Sequence, residues 1–577
     1  MSPSLNNPLP REAAIFTTQR DVPIHAVATP INATSVAATT QPHTATTDDF
    51  HTNFNPLPNG ICTPVNVNRL YEFLVFHPDQ TLVNYIINGF IYGFDIGYSG
   101  PITEGQSKNL LSARNNPDAV HTAINKELVR KHTSGPFNAP PFSTLHCSPL
   151  GAVPKKDNSY RIILDLSSPR GHSINEGIPR DQFSVRYSSF DDAVKLVSSL
   201  GQNAYLAKLD IQHAFRLCPV RQEDWCLLGH SFDHQFFVDT RLPFGSRSSH
   251  FIFNKFADLL LWILVYIFNI ATVLHYLDDF FICASNFEQC EQYMNAAQCA
   301  FDELGIPLAP EKIEGPSQCL TYLGIEIDAC KQTIRLPPVK YKELVQTLKT
   351  WTNRKKCTKR ELLSLIGSLS FACKVVKPGR IFLRRLIDLS TTVTSLNYHI
   401  YLNSEARADI NWWHTFLPSW NGVIFFQEDP VSANSLSLFT DASSLGFGAN
   451  SWFSSAWPYQ EPLPLINFLE LFAVVAAIFS WGKHLVNKAI IIYTDLKSIA
   501  HVWKSGTCRD KGIMRLVRAL FMFAARHNIN ILMEHLPGHQ NYLADSLSRL
   551  QVNKFQQLCP HADAVQSTIS TEIWKLC

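Results

Sequence analysis

Three aspartates follow apolar segments in a pattern that could bind divalent metal ions. Asp210 ends the apolar strand AYLAKLD (204–210), and Asp278-Asp279 separate the two apolar runs of ATVLHYLDDFFICA (271–284), which indicate a hairpin. Carboxylates from a strand end and a hairpin tip could hold two Mg²⁺ ions ~3.5–4 Å apart, which activate a 3′-hydroxyl and stabilise a leaving pyrophosphate. An Asp-Asp pair is often an ordinary turn. Here Tyr276-Leu277 and Phe280-Phe281 flank the pair, and uncompensated carboxylates among such residues are costly, which favours a metal site.

A second group of acids lies near the C-terminus. Asp441 ends the alternating strand SLSLFTD, Asp495 ends the apolar strand AIIIYTD, and Asp545 opens a helix in NYLADSLSRL. Asp441 and Asp495 could each be strand-terminating turn residues. Glu470 interrupts the apolar helix LPLINFLELFAVVAAIF (463–479), and a buried Glu requires a cation. Four such carboxylates at one sheet end would hold two metals and activate a water for phosphodiester cleavage.

The elements that must position these acids form two folded regions. Residues 145–330 mix short apolar runs with helical stretches, which is an α+β pattern. Residues 435–550 predict strand, strand, helix, strand, helices, strand and helix, a second α/β domain. Between them, residues 340–385 contain 13 basic and two acidic side chains, which favours a surface facing a polyanion over an ordinary solvated helix face. A linker helix with apolar residues at helical spacing is predicted from Ser404 to Leu417.

Composition limits the remaining possibilities. The chain has 577 residues, 46% hydrophobic, and a net charge of +2, so it has several cores and no global basic charge. The 14 cysteines include no C-x-x-C pair, and His230/His234 or His535/His539 alone are weak metal candidates. Unpaired thiols and the absence of a signal-peptide run predict an intracellular compartment. The uncharged stretch Leu259 to Leu274 is too short to span a bilayer, so we expect a buried helix followed by a buried strand, and no membrane.

Six ordered motifs between 145 and 330 resemble a reverse transcriptase. They are SPLGAVPKKDNSYRIILDLS, KLDIQHAF, LPFGSRSSHFIFNK, YLDD, PEKIEGP and CLTYLG. Retroviral enzymes usually carry Gln where this chain has Phe244. The resemblance implies metal ligation by Asp210, Asp278 and Asp279. It also implies nucleotide contacts, with Lys155 or Lys156 and Arg161 on the triphosphate, Gly245 in the contacting block, and Lys312 near the pyrophosphate.

Phe215 lies five residues after Asp210, where the family places an aromatic residue that blocks a sugar 2′-hydroxyl. The resemblance therefore implies that Phe215 selects deoxynucleotides. The alternative is an aromatic residue that packs in the palm core.

The second acidic group resembles ribonuclease H. FTDAS, FLELFA, YTDLKS and PGHQNYLAD match its four acidic blocks, which implies catalysis by Asp441, Glu470, Asp495 and Asp545. His539 falls where the family has a mobile, catalysis-assisting His, although a surface-loop His is equally compatible. Taken together, the motifs over residues 60–550 are similar to those of DIRS-type retrotransposons, which integrate with a tyrosine recombinase. They include GFDIGYSGP, NLLSARNNP and the Trp412-Trp413…LPSWNG linker.

These observations predict an α+β fold, with a right-hand polymerase (fingers, palm and thumb) followed by an α/β ribonuclease H-like domain. The predicted divisions are a disordered tail (1–52), a helical extension (53–144), fingers and palm (145–335), a basic thumb-like segment (336–400), a linker helix (401–432), the nuclease-like domain (433–552) and a C-terminal tail (553–577). The implied cofactor is Mg²⁺, two ions per site, with Mn²⁺ possible.

The implied partners are an RNA template, a DNA primer, RNA–DNA hybrid, dNTPs and a separately encoded recombinase. Within the basic segment, Lys355, Lys356 and Arg360 are the predicted nucleic-acid contacts. The expected function is RNA- and DNA-directed DNA synthesis with hybrid cleavage. The alternative is an inactive retroelement relic that only binds nucleic acid.

Overall fold

The computed structural model describes residues 63–155, 159–420, 424–425, 436–458, 463–486, 488–506, 508–527 and 529–576. The predicted disordered tail (1–52) and the candidate residue Lys156 lie outside these ranges. The twelve cysteines within them are free thiols.

Four helices and two short strands precede residue 145. The helices are α1 (Val67–Leu74), α2 (Gln80–Tyr92), α3 (Leu111–Arg114) and α4 (Pro117–Val129), and the strands are β1 (Gly105–Gln106) and β2 (Thr133–Phe137). Asn66 and Asp79 begin α1 and α2, because each side chain accepts a hydrogen bond from a backbone N–H of the first turn. The predicted helical extension therefore also supplies strands to the sheet that follows.

That sheet has the strand order β1-β3-β7-β8-β2 and forms the outer part of the polymerase-like region. Its later strands are β3 (His146–Cys147), β7 (Gly229–Phe232) and β8 (Gln235–Asp239). A separate antiparallel hairpin is formed by β4 (Leu150–Pro154) and β5 (Tyr160–Leu164). Helix α4 contacts both β2 and β5, so the N-terminal helices form part of the same body.

A second sheet carries the first acidic group. Its order is β11-β6-β10-β9, and all its strand pairs are antiparallel. The strands are β6 (Tyr205–Asp210), β9 (Val273–Tyr276), β10 (Asp279–Ala284) and β11 (Glu314–Ser317), and the helices around them are α5 (Phe190–Ser199), α6 (Ser249–Tyr266) and α7 (Phe287–Glu303). The apolar stretch 259–274 divides between the end of α6 and the start of β9, as expected.

The next region contains a four-stranded sheet and four helices. The sheet order is β12-β13-β14-β17, and β15 pairs with β16. The elements are β12 (Cys319–Tyr322), β13 (Ile325–Asp328), β14 (Thr333–Arg335), α8 (Pro338–Thr352), β15 (Lys356–Thr358), α9 (Lys359–Ala372), α10 (Arg384–Ser390), β16 (His399–Tyr401), α11 (Ser404–Trp420) and β17 (Ile424–Phe425). The predicted linker helix is α11, which packs on α8 and α10.

The C-terminal region is a five-stranded mixed sheet with the order β20-β19-β18-β21-β22. The elements are β18 (Leu436–Ala442), β19 (Gly446–Ala449), β20 (Phe453–Ala456), α12 (Ile466–Trp481), β21 (Ala489–Thr494), α13 (Lys497–Ser505), α14 (Lys511–Arg526), β22 (Asn530–His535), α15 (Tyr542–Ser548) and α16 (Val552–Leu558). The prediction of two strands before α12 was wrong, because β19 and β20 are four residues each and rich in Gly, Ser and Ala, which give little strand signal.

Helix α12 lies at the centre of this region. Within the described residues, Ile466–His484 is long and apolar enough to cross a membrane by length and composition alone, and 61% of that stretch is buried in the protein. The helix packs against β18, β19 and α14, as a core helix does. The segment after 552 also packs here, since Ile573 is fully buried and the Trp574 ring lies 5.7 Å from that of Phe472.

Candidate active sites

Strand register brings the first three aspartates together. Asp210 is the last residue of β6, and Asp279, the first residue of β10, lies directly opposite it in the antiparallel ladder. Asp278 occupies the tight turn between β9 and β10, after Leu277, whose φ is +55°. The side chains of Asp279 and Asp210 are also hydrogen-bonded. The hairpin and the strand end therefore converge as the sequence predicted.

This cluster contains its own cation. The Lys312 Nζ donates to both carboxylate oxygens of Asp210, at 2.8 and 2.9 Å. Burial raises the pKa of Asp278, and burial with the charge of Asp278 raises the pKa of Asp279 to about 7. Burial alone would lower the pKa of Lys312, but the hydrogen bond and charge of Asp210 raise it. Lys312, predicted near a pyrophosphate, is thus placed at the carboxylates.

A cleft of about 1180 Å³ opens beside these acids. It collects six of the predicted polymerase residues, namely Lys155, Arg161, Asp210, Gly245, Asp278 and Lys312. Gly245 has φ +102°, and a Cβ there would lie 3.2 Å from the Leu164 carbonyl oxygen, so this wall of the cleft needs glycine. Asp279 and Phe215 are not among the lining residues.

The two candidate cations for a triphosphate lie on the β4–β5 hairpin. Arg161 pairs with Val153 across the hairpin, and the Lys155 N–H donates to the Ser159 carbonyl at 2.7 Å. Both side chains are exposed, so neither is committed to the core. Their placement is compatible with anion binding at the cleft.

Phe215 is buried next to this cleft. Only 6% of it is exposed, and its ring packs against Phe253, His250 and Phe244 at centroid distances of 5.5, 5.0 and 5.2 Å. Phe244 is 54% exposed and lines the cleft. The aromatic ring that meets the cleft is therefore Phe244, with Phe215 behind it, and the proposed sugar selection by Phe215 stays a prediction.

A charged network on another wall of the cleft was missed. The Arg216 guanidinium lies 2.9 Å from Asp239 Oδ2 and 3.3 Å from Glu127 Oε2, and Glu127 also contacts His132 Nδ1 at 3.0 Å. Burial would raise the pKa of Glu127, but these partners lower it to about 2. The signal in the sequence was the charged Arg216 directly after the motif KLDIQHAF. Its partners lie far away in the chain and could not be identified from it.

Three acids of the C-terminal group meet at the C-terminal ends of the adjacent strands β18 and β21. Asp441 lies near the end of β18, Asp495 follows β21, and Glu470 projects from α12. One carboxylate oxygen from each lies within 4.8 Å of the others. The Ala442 N–H donates to Glu470 Oε1 at 3.0 Å, and the Ser548 hydroxyl donates to Asp441 Oδ2 at 2.5 Å. Adjacent parallel strands and the helix packed on them explain this convergence.

Burial dominates the electrostatics of this triad. It raises the pKa of Glu470 to about 9, with the charges of Asp441 and Asp495 adding to the effect. Burial also raises the pKa of Asp441 to about 7 and, against the influence of His535, that of Asp495. Two buried carboxylates and the partly buried Asp495 at one point are a donor set suited to a divalent cation.

The remaining predicted nuclease residues lie outside this triad. Asp545 forms an ion pair with Arg549 at 2.7 Å, although its charge still raises the pKa of Asp441. His539 is exposed in a single turn after β22. His535, at the end of β22 opposite Thr494, is the histidine whose charge acts on Asp495. Sequence reasoning had considered His535 only as a paired metal ligand.

The three basic candidates occupy one end of the thumb-like segment. Lys355, Lys356 and Arg360 lie at β15 and the start of α9, and all three are exposed. Their neighbours are engaged elsewhere, since Arg354 pairs with Glu361 at 2.9 Å and Lys359 Nζ donates to the Val393 carbonyl at 2.6 Å.

Comparison with known proteins gives a family for the first site. Residues 153–327 match the family model described as reverse transcriptase (RNA-dependent DNA polymerase). The Pol polyprotein of the transposon gypsy from Drosophila melanogaster is 22% identical over 79% of this chain and 42% of its own length. Polyprotein P3 of Commelina yellow mottle virus is 21% identical over 65% of this chain and 20% of its own length.

Among solved structures, a foamy viral protease–reverse transcriptase in complex with RNA/DNA hybrid is 15% identical, with a TM-score of 0.46, and the match covers 87% of this chain and 64% of that one. The chain spans about two fifths of the length of the Pol polyproteins from the Drosophila melanogaster transposons gypsy and 297. It contains a reverse transcriptase domain of the retrotransposon and retroviral Pol type.

Proposed function

We propose that this chain synthesises DNA on RNA and DNA templates at the first site and hydrolyses the RNA of RNA–DNA hybrids at the second. The observation that carries the polymerase is the register pair Asp210–Asp279, with Asp278 in the adjoining turn, beside a cleft that the matched region lines in part. The observation that carries the nuclease is the convergence of the buried Asp441 and Glu470 with the partly buried Asp495.

The polymerase residues fit a divalent cation. Asp210, Asp278 and Asp279 would hold two Mg²⁺ ions, or Mn²⁺, and the raised pKa of Asp279 indicates that positive charge is needed there. Bound metal would lower the pKa of the primer 3′-hydroxyl and stabilise charge on the departing pyrophosphate.

The chain's own residues supply binding and orientation. Lys155 and Arg161 bind the triphosphate from the β4–β5 hairpin, Arg161 through its planar fork. Gly245 lets the cleft wall approach the nucleotide closely. Lys312 holds Asp210 in position and offers a positive charge beside the leaving group. Phe215 supports Phe244 and restricts the space for the sugar.

In the nuclease, Asp441, Glu470, Asp495 and Asp545 would hold two further ions, whose chemistry is the activation of a water at neutral pH. Ser548 fixes the Asp441 carboxylate, and the Ala442 N–H fixes Glu470. His539, exposed in the turn after β22, assists catalysis. The exposed Lys355, Lys356 and Arg360 contact the duplex backbone.

The assignment to a subfamily of retroelements rests on sequence motifs. We place the chain with DIRS-type elements, acting inside the cell with a separately encoded tyrosine recombinase. The DIRS-like motifs GFDIGYSGP and NLLSARNNP support it.

The test is primer extension on an RNA template, and cleavage of a labelled RNA–DNA hybrid, by the purified chain with Mg²⁺. We expect dNTP-dependent extension and RNA shortening. Binding of hybrid without either reaction would instead identify an inactive relic.

A further inference from the structure

The histidine that precedes the polymerase turn is buried between two hydrogen-bond acceptors. His275 Nε2 lies 3.0 Å from Asp258 Oδ1 on α6, and its Nδ1 lies 3.3 Å from the Leu277 carbonyl oxygen. The imidazole is buried and stacks on Phe280, with ring centroids 5.5 Å apart. The ring is therefore fixed on both edges and on one face.

The two contacts define what this side chain does. A carboxylate and a carbonyl oxygen are both acceptors, and a neutral imidazole donates from one nitrogen only. Nδ1 is the nitrogen that faces the Leu277 carbonyl, so the contact that reaches the turn is the one on this edge of the ring. Asp258 is itself oriented, because the Asn254 amide donates to its two carboxylate oxygens at 3.3 and 3.2 Å.

The carbonyl that His275 holds belongs to a strained residue. Leu277 has φ +55°, a left-handed conformation that is unfavourable for a side chain with a Cβ. Leu277 directly precedes Asp278, so its backbone sets the direction of that carboxylate. Because His275 lies on β9 and contacts Asp258 of α6, it ties this turn to an element outside the hairpin.

We propose that His275 is a positioning residue for the polymerase centre, which holds the Leu277 turn so that Asp278 points at the metal region. The inference rests on the proposed polymerase function. His275 touches no reacting atom. It acts through the turn, while Asp258 and Asn254 fix its orientation.

The test compares three variants of the full chain. His275→Phe keeps an aromatic ring and its stacking but removes both ring nitrogens, and His275→Gln restores a side-chain N–H donor. His77→Phe is the matched control, since His77 also packs against α6, through Trp262 at 4.9 Å, without reaching the hairpin.

We expect His275→Phe to lower kcat for primer extension by about 10- to 100-fold and to raise the Mg²⁺ concentration for half-maximal extension, as loss of a residue that orients a metal ligand does. KM for dNTP should change less than about threefold, because the triphosphate contacts are untouched. Hybrid cleavage by the same molecules should be unchanged. His275→Gln should recover part of kcat, and His77→Phe should match wild type.

A second readout needs no metal and no activity. Amide hydrogen exchange in the metal-free protein should be faster at residues 276–280 in His275→Phe than in wild type or His77→Phe. Unchanged exchange with unchanged kcat would overturn the proposal, as would equal losses of extension and cleavage with a lowered Tm, which mark a purely structural role. If wild type extends no primer, the polymerase function fails, whereas the exchange comparison still decides whether His275 holds the turn.

Discussion

The two carboxylate clusters of this chain solve the same electrostatic problem differently. In the palm, Asp210, Asp278 and Asp279 lie on a strand end and a hairpin at an open cleft, and Lys312 neutralises part of their charge. In the C-terminal domain, Glu470 and its two partners are packed between a helix and a sheet. Burial raises the pKa of Asp279 to about 7 but that of Glu470 to about 9.

This difference shows how each site is held before it binds a cation. The first cluster contains its own lysine, whose charge lowers the pKa of Asp278 and Asp279 against the raising effect of burial. In the C-terminal triad, burial and the charges of Asp441 and Asp495 raise the pKa of Glu470 to about 9, which favours its protonated form at pH 7. The first cluster therefore carries a cation of its own, whereas the C-terminal triad would have to release protons in order to bind a metal ion.

The largest effect should come from removing one acid from each site. Asp278→Asn should reduce primer extension by about 10³-fold or more and leave hybrid cleavage intact, because an amide cannot replace a charged metal ligand. Asp441→Asn should do the reverse. Both activities are measured on both purified variants, with thermal melts to check folding. Loss of both activities in one folded variant would contradict two separate sites.

The second effect tests the internal cation of the palm. The charge of Lys312 lowers the pKa of Asp278 and Asp279, so Lys312→Met should raise both further. The acidic limb of the pH–rate profile for extension should then move to higher pH, with kcat at pH 7 reduced about 10- to 100-fold.

Lys208→Met is the matched control for this change. Lys208 lies on β6, the strand that ends at Asp210, but its ammonium pairs with Glu314 at 2.8 Å and not with the aspartates. Its pH profile should superimpose on that of wild type. A Lys312→Met profile with an unmoved acidic limb would mean that Lys312 does not set the ionisation of the cluster.

The third effect concerns Phe215. One hypothesis places its ring next to the sugar of the incoming nucleotide, and the other places it in the core. If it restricts the sugar, Phe215→Val should lower the ratio of kcat/KM for dNTP over rNTP more than it lowers the rate with dNTP. If it only packs, the variant should lose about 2–4 kcal/mol of unfolding free energy with an unaltered ratio. Because Phe215 contacts the exposed Phe244, we expect both a lower ratio and a lower unfolding free energy. Phe244→Val shows how much of the change in the ratio comes from the Phe244 ring.

The sequence could predict the acids of both sites because each ends or interrupts an apolar segment. Short apolar runs bounded by acids located β6, β10 and β21, and a lone glutamate in an apolar helix located Glu470. The contacts between distant residues could not be predicted this way. Lys312 reaches Asp210 across 102 positions, and Arg216 meets Glu127 through packing of α4 on the cleft. Propensity also failed at β19 and β20, where pairing with β18 creates strands from a weak sequence signal.

The fourth effect uses stability to test the proton bound by the nuclease triad. Because the folded pKa of Glu470 is raised from 4.5 to about 9, its protonated form stabilises the metal-free fold at low pH, and this stabilisation is lost as pH rises towards 9. Glu470→Gln removes the titration, so it should be more stable than wild type at pH 8 by about 2 kcal/mol and similar at pH 5. Denaturant unfolding in EDTA measures this. Equal pH dependence in both proteins would place the buried proton elsewhere.

The smallest effect concerns the basic surface that lies outside both clusters. Replacing Lys355, Lys356 and Arg360 with Gln should weaken binding of template–primer and flatten its salt dependence, since each lost phosphate contact lowers the slope of log K against log[salt] by ~0.9. Lys331→Gln, in an exposed turn where the lysine lies 3.5 Å from Asp328, is a control for removal of a charge at another surface. Single variants of the three residues should each lower the slope by about one contact, because each lost phosphate contact releases fewer counterions. A triple variant with the wild-type slope would exclude this surface from the duplex path, while leaving the two carboxylate sites and their chemistry unaffected.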